Sequence, residues 1–300
     1  MRKARLRFSG RALGAMLIGI ALAFSTFGSA GAATSVTVGA KDFAGAQIIS
    51  QAYGQYLKSK GYSVSYKDKI GPTEITYPAL KSGDIGAYGD YQGTLLTYLG
   101  GTPTGSKDST YKLLQAKLKG TGITALPPAS ALDVNAFYVL KSTATKYKLK
   151  TVSDLKKVAP QLVFGGPPEC LDRPLCLGTT SQQLYGLKFK DVRKLDAGGP
   201  ITNKALDDGT IQVGLLFTGS SIIKPNYVLL KDDKGLQPSD NAILIAKSSV
   251  ATSKFKKDAA KVTAALTTKA YNKAALSVFN DKIDPAEAAT TLLKDAKLIK

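Results

Sequence analysis

Short apolar runs of strand length alternate with amphipathic stretches of helical length along this 300-residue chain, and that alternation restricts it to an α/β architecture. Ser35–Gly39 reads as a first strand. From Ala44 to Lys60 the residues Ile48, Ile49, Ala52, Tyr53, Tyr56 and Leu57 recur at helical spacing, with Gly61 placed to end the helix. Tyr62 to Tyr66 alternates as a second strand. A helix from Thr73 to Ser82, stopped by Gly83, leads to a strand at Ile85 to Tyr88 and a helix from about Tyr91 to Leu99. The pattern predicts largely parallel sheets.

Leu126-Pro127-Pro128 and the small residues after it read as a crossing into a second α/β lobe. That lobe holds a helix start at Thr151-Val152-Ser153-Asp154-Leu155 and a strand at Val213 to Phe217. After Gln237-Pro238, the strand Ala242 to Ala246 reads as the return crossing. Residues 34–132 with 242–300 are therefore expected to form lobe I, and 133–241 lobe II. The tail is helical, with Asp284-Pro285-Ala286-Glu287 supplying a side-chain cap and a proline in the first turn. Two crossings make a hinge, and a cleft between the lobes can close on a ligand.

Residues 1–33 have another character. Arg2, Lys3, Arg5, Arg7 and Arg11 precede the apolar run Ala12 to Phe27, and Ser29-Ala30-Gly31-Ala32-Ala33 offers a cleavage site. This predicts a secretory signal, with the mature chain starting near Ala33 or Thr34. The alternative is a retained anchor, although the run is shorter than the ~20 residues a spanning helix needs. No cysteine stands near the cleavage region for lipid attachment, so the expected location is periplasmic, cell-surface or extracellular. Removing the signal leaves 36 basic and 22 acidic residues, a net +14. Outside the cell such a charge is not expected to meet nucleic acid; it implies a lysine-rich solvated surface, or else attraction to anionic lipid or envelope polymer.

Histidine is absent, which excludes Ser-His-Asp and Cys-His catalysis and the usual histidine zinc sites. Cys170 and Cys176 are the two cysteines. Export places them in an oxidising compartment, and the five residues between them, including Pro174, allow a tight turn, so they are expected to form one structural disulfide. No cofactor and no metal is implied.

Several segments occur in an order that resembles the quaternary-amine substrate-binding proteins of ABC transporters, the glycine betaine, choline and proline-betaine type. They are Gly39-Ala40-Lys41-Asp42-Phe43 with Gln47, Tyr77-Pro78-Ala79-Leu80-Lys81-Ser82-Gly83-Asp84-Ile85, and Tyr88-Gly89-Asp90-Tyr91-Gln92-Gly93-Thr94. Asp133-Val134-Asn135-Ala136-Phe137, Phe164-Gly165-Gly166-Pro167-Pro168-Glu169-Cys170 with Arg173, Gly198-Gly199-Pro200-Ile201-Thr202 and Leu215-Leu216-Phe217-Thr218 complete the set. The loop from Glu169 to Cys176 is most similar to the actinobacterial branch. The resemblance implies a type II periplasmic binding protein fold, with two α/β lobes, a ligand cleft and two crossover strands. It implies a monomer that binds a small zwitterionic or cationic solute and works with an ABC transporter permease in the membrane.

A betaine joins a bulky cation to a carboxylate, so its receptor needs aromatic faces at one end and charged or hydroxyl donors at the other. The resemblance assigns Lys41, Thr94 and Arg173 to the carboxylate half, and Tyr91 and Asp133 to the cation half. Where many relatives carry cage tyrosines this chain has Asn135, Asn203 and Phe217, and Gly219-Ser220 replaces an acid that often follows the Phe-Thr segment. Gln47, Thr73 at a helix start and Thr218 complete the expected site. Read without a ligand, Lys41 and Asp42 form an exposed ion pair, Tyr77 and Tyr88 pack in the core, and Glu74 is solvated. The reduced cage also allows a polyol, phenolic or anionic ligand. Other classes are an envelope-binding protein, motivated by the charge, and a glycosidase-like enzyme using Asp90 and Asp133.

Overall fold

The computed structural model describes residues 34–300, and the expected signal at 1–33 lies outside them. In chain order the elements begin with β1 (Ser35–Gly39), α1 (Ala44–Ser59), β2 (Ser63–Lys67), α2 (Thr73–Ser82), β3 (Ala87–Tyr91), α3 (Gln92–Tyr98), α4 (Lys107–Leu118) and β4 (Ile123–Ala125). A middle portion follows with β5 (Asn135–Leu140), α5 (Lys141–Tyr147), α6 (Leu155–Val158), β6 (Val163–Gly166), α7 (Thr179–Leu184), β7 (Asp191–Lys194), α8 (Pro200–Asp207), β8 (Val213–Phe217) and β9 (Tyr227–Leu229). The chain ends with β10 (Ala242–Lys247), α9 (Ser253–Ala265), α10 (Thr268–Asn280) and α11 (Pro285–Asp295).

The strands form two five-stranded sheets, ordered β2-β1-β3-β10-β4 and β7-β6-β8-β5-β9. In the first, β1 runs parallel to β2 and β3, while β10 runs antiparallel to β3 and β4. The second repeats the scheme: β6 is parallel to β7 and β8, and β5 is antiparallel to β8 and β9. The sheets are therefore mixed rather than largely parallel. Each antiparallel strand is the one that follows a crossing, β5 after the outward crossing and β10 after the return. A strand entering from the hinge runs opposite to strands that end at the hinge.

Two local expectations shift for related reasons. The strand Ala242 to Ala246 is not the return crossing; it lies inside the first sheet as β10, and the crossing is the segment before it. There, Leu132 and Asn241 form an antiparallel bridge, and the Asp133 amide donates to the Asp240 carbonyl at 3.2 Å. The strand expected at Ile85 to Tyr88 is displaced to Ala87–Tyr91, because Ile85 and Gly86 spend their amides on the Ala79 and Thr37 carbonyls. Tyr91 thus ends a strand rather than starting a helix.

Helix ends follow the sequence signals closely. Gly83 closes α2 in the left-handed region at φ 95°, and the Asp284 carboxylate accepts from the Ala286 amide at 2.8 Å to cap α11. Both faces of each sheet are covered by apolar clusters. Ile48, Ile49, Tyr53 and Leu57 of α1 pack with Val36, Val38 and Leu244, while Phe137, Val139 and Phe164 centre the second sheet's core. Each fully buried side chain of this size contributes about 1.5–3 kcal/mol, which makes each sheet a firm base for the loops at its strand ends.

Candidate functional site

Strand register gathers the site. β10 pairs Ala242 with Tyr91, and β5 pairs Asn135 with Phe217, so the end of β3 meets the return crossing and the end of β8 meets the outward one. An inner recess of about 30 Å³ opens there, lined by Lys41, Tyr91, Thr94, Asp133, Asn135, Arg173 and Phe217 from the expected set. That is room for about two waters. An outer chamber of about 310 Å³ shares Thr94, Asn135, Glu169, Arg173 and Asp240 with it and adds Glu74, Thr97, Tyr98 and Gln237 among its walls.

The aromatic wall crosses between the sheets. Phe43, just after β1, stacks on Tyr91 with ring centres 6.1 Å apart and planes at 16°. The same ring meets Phe217, from the second sheet, at 5.6 Å. Tyr91 and Phe217 belonged to the sequence expectation, but Phe43 did not, although it stands in the quoted Lys41-Asp42-Phe43 segment.

Each expected carboxylate donor is engaged by a carboxylate of the protein itself. Lys41 is buried and ion-paired with Asp90, whose second oxygen accepts from the Tyr88 hydroxyl at 2.6 Å. Lys41 therefore turns inward to Asp90 rather than forming an exposed pair with Asp42. Thr94 donates its hydroxyl to Asp240 at 2.6 Å and its amide at 3.1 Å, and the Gly93 amide adds a third bond at 2.6 Å. Arg173 donates to both oxygens of Glu74 at 3.0 and 2.8 Å and stands 3.6 Å from Glu169. Glu74 is thus solvated, as expected, and an ion-pair partner as well. Burial pushes its carboxyl upward, but the hydrogen bond and charge of Arg173 outweigh burial and hold it below the usual range.

Asp133 lies at the floor of the recess. It accepts from the Gly219 amide at 2.6 Å and from the Tyr271 hydroxyl at 2.9 Å, and the Tyr91 and Tyr271 hydroxyls are 2.6 Å apart. Because Tyr271 gives its one proton to Asp133, Tyr91 donates to Tyr271. Burial raises Asp133 to about 6, against the lowering effect of its donors. Asp240 is likewise raised to about 6, chiefly by burial, with the Thr94 and Gly93 bonds opposing.

Four expected residues line neither chamber. Gln47 is buried on α1, and Thr73 is fully buried at the start of α2, its hydroxyl without a hydrogen-bond partner among the described residues. Asn203 is buried on α8, where its amide donates back to the Gly199 carbonyl at 3.0 Å. The Thr218 hydroxyl accepts from the Val134 amide at 3.1 Å and faces a separate apolar pocket with Phe137, Leu229 and Leu236. The expected disulfide is present: Cys170 and Cys176 are bonded, closing the loop that carries Arg173.

A family model described as the substrate binding domain of ABC-type glycine betaine transport system matches residues 34–295. Carnitine transport binding protein OpuCC of Listeria monocytogenes serotype 1/2a (strain 10403S) is 27% identical over 225 residues, covering 72% of this chain and 71% of that one. Among solved structures, a glycine betaine/carnitine/choline ABC transporter protein superposes with a TM-score of 0.67 at 26% identity, over 88% of this chain and 99% of the other. An ABC-transporter choline binding protein in complex with choline has the same fold, with a TM-score of 0.60 at 16% identity over 88% and 89% of the two chains.

Proposed function

Since this chain belongs to the family of substrate-binding domains of ABC-type glycine betaine transport systems, we propose that it captures a quaternary-ammonium solute in the cleft between its sheets and hands it, chemically unchanged, to a membrane permease. The family is extracytoplasmic, and among the described residues no helix is long and apolar enough to cross a membrane. In this reading residues 1–33 are the export signal, and the protein acts as a monomer. Residues 34–132 with 242–300 and residues 133–241 move as two lobes about the paired crossings at Leu132 and Asn241. The cation sits against Phe43, Tyr91 and Phe217, with Asp133 beneath. The solutes named for the relatives, glycine betaine, carnitine and choline, all carry this trimethylammonium group.

The observation that carries the reading is the aromatic contact across the cleft, Phe43 of one sheet's side against Phe217 of the other's at 5.6 Å. A cation between such rings gains about 0.5–2 kcal/mol per face. The inner recess is too small for the solute as it stands, so the lobes must part to admit it. Titration calorimetry with glycine betaine, choline, carnitine and proline betaine tests this. At least one is expected to bind, and Phe217→Ala to weaken it about 5- to 30-fold, the equivalent of 1–2 kcal/mol. No heat from any of the four up to millimolar concentration would reject the reading.

A further inference from the structure

We propose that Asp240 is a specificity-determining residue, and that its fixed negative charge makes the cleft select a monocation, a quaternary ammonium group with a neutral polar end, over a zwitterion that ends in a carboxylate. This rests on the quaternary-ammonium reading above and narrows it.

The donors at the polar end of the cleft are already in use. Thr94, which the family resemblance assigns to a ligand carboxylate, gives both its hydroxyl and its amide to Asp240, and Gly93 gives its amide to the same carboxylate. The protein thereby supplies from its own chain the group that this donor set would otherwise take from the solute. Asp240 stands two residues before β10, and its backbone carbonyl holds the Asp133 amide of the other crossing, so it is fixed from both sides.

The two cations are also satisfied. Lys41 is ion-paired with Asp90, and Arg173 holds Glu74 through two hydrogen bonds, with Glu169 alongside. Among the described residues no basic side chain forms an ion pair with Asp240 or Asp133; the first is held by amides and a hydroxyl, with the Lys41 charge farther off, and the second by an amide and the Tyr271 hydroxyl. Among the described residues the charged side chains lining the two chambers are six carboxylates against Lys41 and Arg173, a formal excess of four negative charges. The whole chain carries +19, so the cleft reverses the sign of the molecule around it. A ligand carboxylate entering here meets Asp240 and Glu169 with no free charged donor, and like charges brought together out of water discriminate strongly. A lone cation meets ring faces and uncompensated carboxylates.

Choline and glycine betaine share the trimethylammonium group and differ at the far end, an alcohol against a carboxylate, so their affinity ratio reads the charge at that end. Titration calorimetry of the purified protein is expected to give choline at least tenfold tighter than glycine betaine. Asp240→Asn, which keeps an acceptor oxygen for Gly93 and Thr94, is expected to bring the two within about threefold. Asp240→Ser serves the same comparison if the asparagine variant folds poorly. A purely structural role for Asp240 would weaken both ligands equally and leave their ratio where it was. Glycine betaine binding as tightly as choline to the unaltered protein, or an unchanged ratio in the variants, would overturn the proposal while leaving the quaternary-ammonium reading intact. Silence with every quaternary ammonium compound would overturn that reading and this one together.

Discussion

Arg173 donates to both carboxylate oxygens of Glu74 at 3.0 and 2.8 Å, and so ties the disulfide-closed loop beside the second sheet to the first turn of α2 beside the first. The pair is the one charged link between the two sides with two hydrogen bonds among the described residues, and both partners line the outer chamber. Its partners are 25% and 39% exposed, so its contribution is about 0.5–1 kcal/mol, at the upper end of surface pairs because of its geometry. Glu74→Gln is accordingly expected to shift the closed-to-open balance about 2- to 5-fold toward open. Small-angle scattering of the ligand-free protein would report this as a larger radius of gyration; identical curves for both proteins would show that the pair holds nothing shut.

Asp133 and Asp240, both raised to about 6 and chiefly by burial, give ligand affinity and stability opposite dependences on pH. A bound cation favours the ionised carboxylates, so protons compete with it, and affinity for choline is expected to fall about tenfold or more from pH 7 to pH 5. Stability runs the other way. Between about 4 and 6 the folded protein holds protons on these groups that the unfolded chain, with carboxyls near 3.8, has released, so unfolding free energy falls as pH rises through that window. The ligand-free protein is expected to melt higher at pH 5 than at pH 7, and Asp240→Asn to lose part of that difference. Lowered carboxyls such as Asp154 and Asp258, with ordinary values of 3.8, act below this window, and Glu74, ordinarily 4.5, overlaps only its acid end, below the pH 5 to 7 span. Melting temperatures that rise from pH 5 to 7 in the wild type, with no change in the variant, would remove these two residues as the cause.

What the sequence made legible was whatever rests on neighbours in the chain. The apolar stripe of α1, the Gly83 stop of α2 and the Asp284 cap of α11 all come from residues within a few positions of one another, and all are present. The expected disulfide needed only a six-residue separation. The antiparallel insertion of β10 was not legible, because a strand carries no local mark of direction, and its partner β3 lies about 150 positions earlier. Asp240 was hidden for the same reason: nothing beside it in the chain marks its partner, and only folding brings it to Thr94. Family resemblance placed Thr94 and Arg173 at the cleft, yet it could not show that this chain supplies carboxylates to both.

The disulfide separates local rigidity from global stability. Closing a loop this short takes about 2 kcal/mol of chain entropy from the unfolded state. Replacing Cys170 and Cys176 together by serine is therefore expected to lower the melting temperature by about 4–8 °C. The loop is also held by backbone bonds, Cys176 to Arg173 at 3.0 Å and Leu177 to Cys170 at 3.0 Å, so it should not unfold outright. Looser placement of Glu169 and Arg173 is expected to cost about 3- to 10-fold in affinity, measured by titration with and without reductant. Equal affinities would mean that the backbone bonds alone position Arg173.

Gly45, the second residue of α1, touches the floor of the recess through its missing side chain. A Cβ there would overlap the Tyr271 hydroxyl and stand 2.9 Å from the Ser220 Cβ and 3.1 Å from the Tyr91 hydroxyl. Helical backbone suits alanine well, so the substitution improves local propensity and its damage comes only from the collision. Tyr271 would have to retreat, breaking its bonds to Asp133 and Tyr91 and leaving a buried carboxylate with the Gly219 amide as its remaining donor among those now given to it. Gly45→Ala is expected to lower stability by about 1–3 kcal/mol. It is also expected to reduce cation affinity at least tenfold, because Asp133 with fewer donors takes up a proton more readily. Denaturant unfolding and titration on the same sample measure both. If stability falls while affinity holds, the Asp133–Tyr271–Tyr91 network is scaffolding for the core, and the cation is held by the aromatic wall without it.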